Sequence, residues 1–264
     1  MRSDAWVPLA ATVIALEFTL ALLRRWRLSR RSYLRSWLIS FVFFTVGTGA
    51  LWYGVAFGWS SPSLRVYYLC GAFLSVPWLA LGELELLMSP KATRIMAFFL
   101  VLITINGAFL FGAVPFVASK TVVGVAIPNG KDFFPAGVMV AVALSNSIGT
   151  LIVVGGTLWS GWRSRGRGPA AASRFRGTLL ITIGVSFAAA GGALTFIGKE
   201  NALAASLALG VAIMYFGFVI ASRRPGAHRA ARRRRRDRNR DETVEPGHLL
   251  DRDVDASSEL VNAQ

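Results

Sequence analysis

Long charge-free stretches alternate along the chain with short clusters of basic residues. Runs without Asp, Glu, Lys or Arg cover Ser36–Leu64, Val66–Gly82, Ile95–Ser119, Phe133–Trp162, Gly177–Gly198 and Asn201–Ser222. A seventh run, Ala5–Leu23, is interrupted only by Glu17. Crossing the ~30 Å hydrocarbon core of a bilayer takes about 20 apolar residues in a helix. Lipid offers no partner for a peptide N–H or C=O, so each run must satisfy its own backbone, as a helix does. The period-two alternation of a membrane β-barrel is absent. The pattern predicts an all-α, polytopic membrane bundle of seven transmembrane helices, roughly over 5–24, 35–58, 64–88, 92–118, 133–161, 176–197 and 202–221. The third helix reaches full length only by taking in Glu83 and Glu85.

Charge then orients the bundle. Lys plus Arg is 29 and Asp plus Glu is 14, a formal net charge of +15 on a chain that is 54% hydrophobic. Twenty-four of the 29 cations fall in the first, third and fifth connections and the C-terminal tail. Basic loops stay in the cytoplasm, so the N-terminus is expected outside and the C-terminus cytoplasmic, in a multi-pass plasma-membrane protein. The first helix lacks a small-residue cleavage site and reads as an uncleaved anchor. Seven of the eight Trp fall near the two interfaces, as an aromatic belt requires; Trp78, directly after Pro77, is at mid-depth.

Helices in lipid associate by close packing of small residues rather than by the hydrophobic effect. Gly184, Ala188 and Gly192 repeat at four-residue spacing, opposite Ala204, Ala208 and Ala212, with Gly210 nearby, so helices six and seven are expected to pair tightly. Gly54 and Gly58 make the one strict GxxxG in this set, expected to serve packing within the chain. Gly58 and Gly71 have loose counterparts at Gly198 and Gly210, which chance explains in so Gly-rich a sequence.

Candidate chemistry is sparse. The only two His, His228 and His248, are in the polar tail, so the spans hold no His to ligate haem or zinc or to serve a Ser-His hydrolase. A single Cys, Cys70, allows no intrachain disulfide and reads as an apolar filler. No Gly-rich phosphate loop, HExxH, CxxC or GxSxG motif is present. No catalytic residue, metal ligand or cofactor is therefore expected. Ionisable groups inside a membrane are functional candidates by default. They are Glu17, Glu83 and Glu85, all in the inner half and within reach of cytoplasmic cations; Glu17 with Glu83 is the best pair for an inward-facing cavity. The uncharged mid-depth groups include Thr104 and Ser145. Among them, Trp78, Asn106 and Asn146 make the candidate pocket; interhelical hydrogen bonding is the plainer explanation for the Asn residues.

The sequence 223–264 differs in kind from the spans. Arg223–Arg240 carries net charge +9 and Asp241–Gln264 net −6, too little apolar sequence to fold, so a disordered cytoplasmic tail is expected beside a transmembrane domain over 1–222. Arg223, Arg224, Arg232, Arg233, Arg234, Arg235 and Arg236 should contact anionic lipid headgroups, at about 1 kcal/mol per cation near the surface. The block lacks interleaved aromatics, so nucleic acid is not an expected partner.

Gly71-Ala72, Trp78-Leu79-Ala80-Leu81-Gly82 and Asn146-Ser147-Ile148-Gly149-Thr150, followed by Gly155-Gly156, together resemble seven-helix integral membrane proteins of actinobacterial type. The resemblance covers 1–222 and implies a seven-helix fold; it implies no activity and no site residues. The expected function is a non-enzymatic envelope component that packs against other membrane proteins or forms an oligomer. The alternative is a small-solute or lipid carrier with a polar midplane pocket.

Overall fold

The computed structural model describes residues 5–113, 128–163, 169–195 and 201–222. The chain is all-helical over these residues, apart from turns, and seven helices are long and apolar enough to cross a membrane. They are α1 (Trp6–Ser29), α2 (Ser32–Phe57), α3 (Ser61–Leu87), α4 (Pro90–Ala113), α5 (Ala136–Arg163), α6 (Pro169–Thr195) and α7 (Asn201–Ser222). The third span includes Glu83 and Glu85, as its required length demanded. Thr121–Ile127, a β-prone stretch of sequence that reads as part of a plain outer connection, and the whole tail with its seven candidate Arg lie outside the described residues.

Short connections make successive helices antiparallel. One end of the bundle, the first end, carries the start of α1 and the α2–α3 turn. The second end carries the α1–α2 and α3–α4 turns. In the α2–α3 turn Gly58 takes φ 102°, which a side chain rarely tolerates, and its N–H caps Gly54 O. Ser60 and Ser63 then start α3 with a reciprocal capping box, and Pro62 sits in the first turn, where no N–H is needed.

Neighbour relations close six of the helices into a ring, in the order α1, α2, α3, α5, α6, α7 and back to α1. α4 stands outside it, packed on α3. Toward the second end the ring is filled by Phe18, Phe41, Leu22, Val211 and Phe218; Phe18 lies 4.0 Å from Phe41 and 5.1 Å from Phe218, centroid to centroid, and so joins α1, α2 and α7. Thr19 Oγ1 adds hydrogen bonds to Phe41 O and Thr45 Oγ1 across α1 and α2.

Glycines set the closest crossings. A Cβ at Gly47 would lie 2.5 Å from Gly71 Cα, so α2 and α3 meet backbone to backbone. A Cβ at Gly184 would lie 2.5 Å from Gly210 O, and α6 and α7 meet in the same way, as their small-residue stripes indicated. The GxxxG acts differently from the helix-packing motif it resembles. Gly54 makes room for the Trp59 ring and Gly58 ends the helix. Two Trp of the expected belt are packing residues as well: Trp59 covers Gly54, and Trp37, 8% exposed, covers Gly82.

Candidate functional site

The site is built around a defect in α3. Pro77 has no N–H, so it cannot donate to the carbonyl of Phe73, four residues back, nor to that of Ala72, five residues back. The turns before it, Tyr67–Leu74, are π-helical. α5 supplies the missing donors. Asn146 Nδ2 donates to Ala72 O at 2.6 Å, and Ser145 Oγ donates to Phe73 O at 3.1 Å. From the other side, Ser40 Oγ of α2 donates to Ser75 O at 2.6 Å. A carbonyl left unpaired in hydrocarbon costs several kcal/mol, so these side chains let α3 carry an irregular turn through the membrane.

Beside this turn is a cavity of about 570 Å³, within the range that binds small molecules. It runs from the first end, at Pro128 and Asn129, to Ser40 and Leu79, about two thirds of the way along α2 and α3. Its walls come from Ser40–Thr48 of α2, Tyr67–Leu79 of α3, Met139–Leu151 of α5, Val185–Gly192 of α6 and Leu203–Met214 of α7. Phe44, Leu79, Val142, Leu207 and Met214 make most of the wall apolar. Polar groups gather near Asn146, where Ser75, Ser147 and Thr150 also face the space. Asn146 Oδ1 is buried and has no hydrogen-bond partner, although its Nδ2 is engaged. Tyr68 closes part of the first end, its OH donating to Pro128 O at 2.9 Å.

The candidate residues do not converge. Asn146 lines the cavity. Trp78 is buried against α4, its Nε1 donating to Thr104 Oγ1 at 3.1 Å, and lies outside the cavity wall. Asn106 is exposed on the side of α4 turned away from the ring. α4 is held by that Trp78–Thr104 bond, by Phe73 over Gly107 and by Arg65, whose guanidinium bonds the carbonyls of Phe111 and Gly112.

The three carboxylates also separate. Glu17 is exposed, at the middle of α1. Glu83 is 3% exposed and packed on Gly156 of α5. Glu85 accepts from Ser36 Oγ of α2 at 3.1 Å, in a position where Arg35 and Ser32 also act on it. Neither Glu17 nor Glu83 lines the cavity. Among the described residues no group of His, Cys, Asp and Glu is placed to hold a metal.

Ser40 and Ser75 escaped notice in the sequence, and Ala188 and Gly192 of the α6 wall were read there as packing residues only. A single Ser in a transmembrane helix is common, and nothing local in the sequence pairs Ser40 with the Ser75 carbonyl. Comparison with protein-family models, with curated proteins and with solved structures gave no match.

Proposed function

We propose that this is a non-enzymatic multi-pass protein of the plasma membrane that binds a small, largely apolar molecule in the central cavity. The N-terminus is outside and the C-terminus cytoplasmic, so the cavity opens in the outer half of the bilayer. The orientation is supported by the 24 cations that the sequence assigns to one side. The cavity itself carries the functional proposal. Five helices surround about 570 Å³ of unfilled space beside a broken turn, with an unpaired acceptor, Asn146 Oδ1, in the wall. Filling such space with side chains would be simple for a protein whose only task was packing. In discontinuous helices of carriers, irregular backbone near the midplane borders the substrate.

Native mass spectrometry of the full chain, extracted from its own membranes, tests this proposal. A bound adduct should appear and should be lost from Ala143→Trp, which fills the cavity from α5. Identical spectra from both proteins would refute the binding function.

A second role, contact with another membrane protein or a second copy, is favoured by Glu17 and Asn106. Both are polar, within spans and directed away from the ring. Polar groups facing hydrocarbon are costly unless a partner satisfies them. Glu17→Leu and Asn106→Leu should release such a partner, measured by the mass of the complex in native membranes. An unchanged complex would remove this role.

A further inference from the structure

The walls of the cavity are uneven, and the uneven side is the one between α5 and α6. α5 and α6 are tied together toward the second end. There Thr182 Oγ1 donates to Thr157 Oγ1 at 2.6 Å, and Val153 shares a buried cluster with Ile181 and Val185. The buried cluster toward the first end draws Val138, Met139 and Val142 from α5 and Leu203 from α7, and no described residue of α6. Where α6 passes this level, its cavity-facing residues are the small Ala188, Ala189 and Gly192.

Three of the cavity's own wall residues also reach the outer surface of the bundle here. Leu151 of α5 lines the cavity and is 70% exposed; Ala189 of α6 lines it and is exposed. Ser147 shares this property. A residue that borders both an internal space and the outside marks an opening between them. Around that opening the surface of α5 is apolar, with Val140, Leu144 and Ile148 each more than half exposed. Such a surface belongs in hydrocarbon, not in water.

We infer that the cavity opens sideways into the bilayer between α5 and α6 and takes the acyl chain of a membrane lipid. The inference rests on the cavity being a binding site and deepens that function by naming the ligand and its route. A lipid chain meets the chemistry of the space. It is apolar along the Phe44, Leu79 and Met214 walls, and it reaches the opening from the same leaflet without crossing water. Small side chains on α6 ordinarily draw a neighbouring helix close. Ala188 does so against Gly210 of α7, whereas Ala189 is exposed beside the cavity, as expected where a chain lies between α5 and α6.

The test uses the full-length protein in nanodiscs containing a phosphatidylcholine with a diazirine at the end of one acyl chain. After irradiation, peptide mapping by mass spectrometry should find adducts on interior residues such as Phe44, Val142 or Met214. Those adducts should fall at least tenfold in Ala189→Trp and in Ser147→Trp, both at exposed positions that tolerate bulk. Adducts on the lipid-facing Leu144 and Ile148 should be unchanged. Labelling confined to Leu144 and Ile148, or interior labelling undiminished in both variants, overturns the lateral route. If native mass spectrometry still finds an adduct that Ala143→Trp abolishes, only the lipid and its route fail. If that adduct is missing too, the binding function fails with them.

Discussion

Replacing Asn146 by Leu probes the joint between α5 and the broken turn of α3. The substitution removes the 2.6 Å donor to Ala72 O and with it the unpaired acceptor Oδ1. The two losses have opposite signs. Orphaning Ala72 O is destabilising, since Pro77 offers no N–H; removing a buried unpaired acceptor is stabilising. Interhelical hydrogen bonds in membranes average about 0.6 kcal/mol and reach about 1.7 kcal/mol. The buried, short bond belongs at the upper end, so the variant should lose about 1 kcal/mol. A thermodynamic cycle separates the terms. In Pro77→Ala the restored N–H serves Ala72 O in place of Asn146 Nδ2, while Phe73 O keeps Ser145 Oγ, so Asn146→Leu then orphans nothing. The Oδ1 term is the same in both backgrounds and cancels. The coupling between the two sites should therefore be about 1 kcal/mol, read from reversible unfolding of the four proteins in bicelles. Additivity within about 0.3 kcal/mol would refute the assignment of Asn146 as the substitute for the proline's missing donor.

Other perturbations check the remaining joints. Gly47→Ala places a Cβ 2.5 Å from Gly71 Cα, against about 3.5–4 Å for ordinary contact, so the helices must part by about 1 Å; thermal unfolding should show a loss of about 1–3 kcal/mol. Gly155→Ala, which meets nothing within 4 Å, is the control and should be neutral or stabilising in the same assay. Trp78→Phe deletes the bond to Thr104 and should cost about 0.5–1.5 kcal/mol, with faster proteolysis after α4 as the second readout. In a Cys70→Ala background, a cysteine at Ser60 should react with a membrane-impermeant maleimide in intact cells and one at Arg27 should not; the reverse pattern would invert the proposed orientation.

The number and type of helices were legible in the sequence because lipid imposes one rule on every residue of a span. Charge-free runs of sufficient length must be helical, and all seven are. Packing of α6 on α7 was legible for a similar reason, because Gly184 and Gly210 leave no other use for their faces. Position around each helix was not legible. The depth of Asn106 along its span marked it as a pocket residue, but α4 lies outside the ring and turns that side chain away from it. Glu17 misled in the same way. In a soluble helix polarity marks the outer face. A transmembrane helix is apolar all round, so it gives little such signal, and the ring order is set by contacts far apart in sequence. The clue that did reach the site was Pro77. Its missing N–H demands outside donors, and Ser145 and Asn146 were in the sequence to supply them, but nothing local paired the two segments.

The central claim is that a lipid chain occupies the space between α5 and α6. An experimental density map of the full-length protein in lipid nanodiscs tests it most directly. Continuous elongated density should run from the bilayer past Leu151 and Ala189 and end beside Asn146. A gap closed by contact between α5 and α6, with side chains filling the space next to the π-helical turn, would contradict the claim.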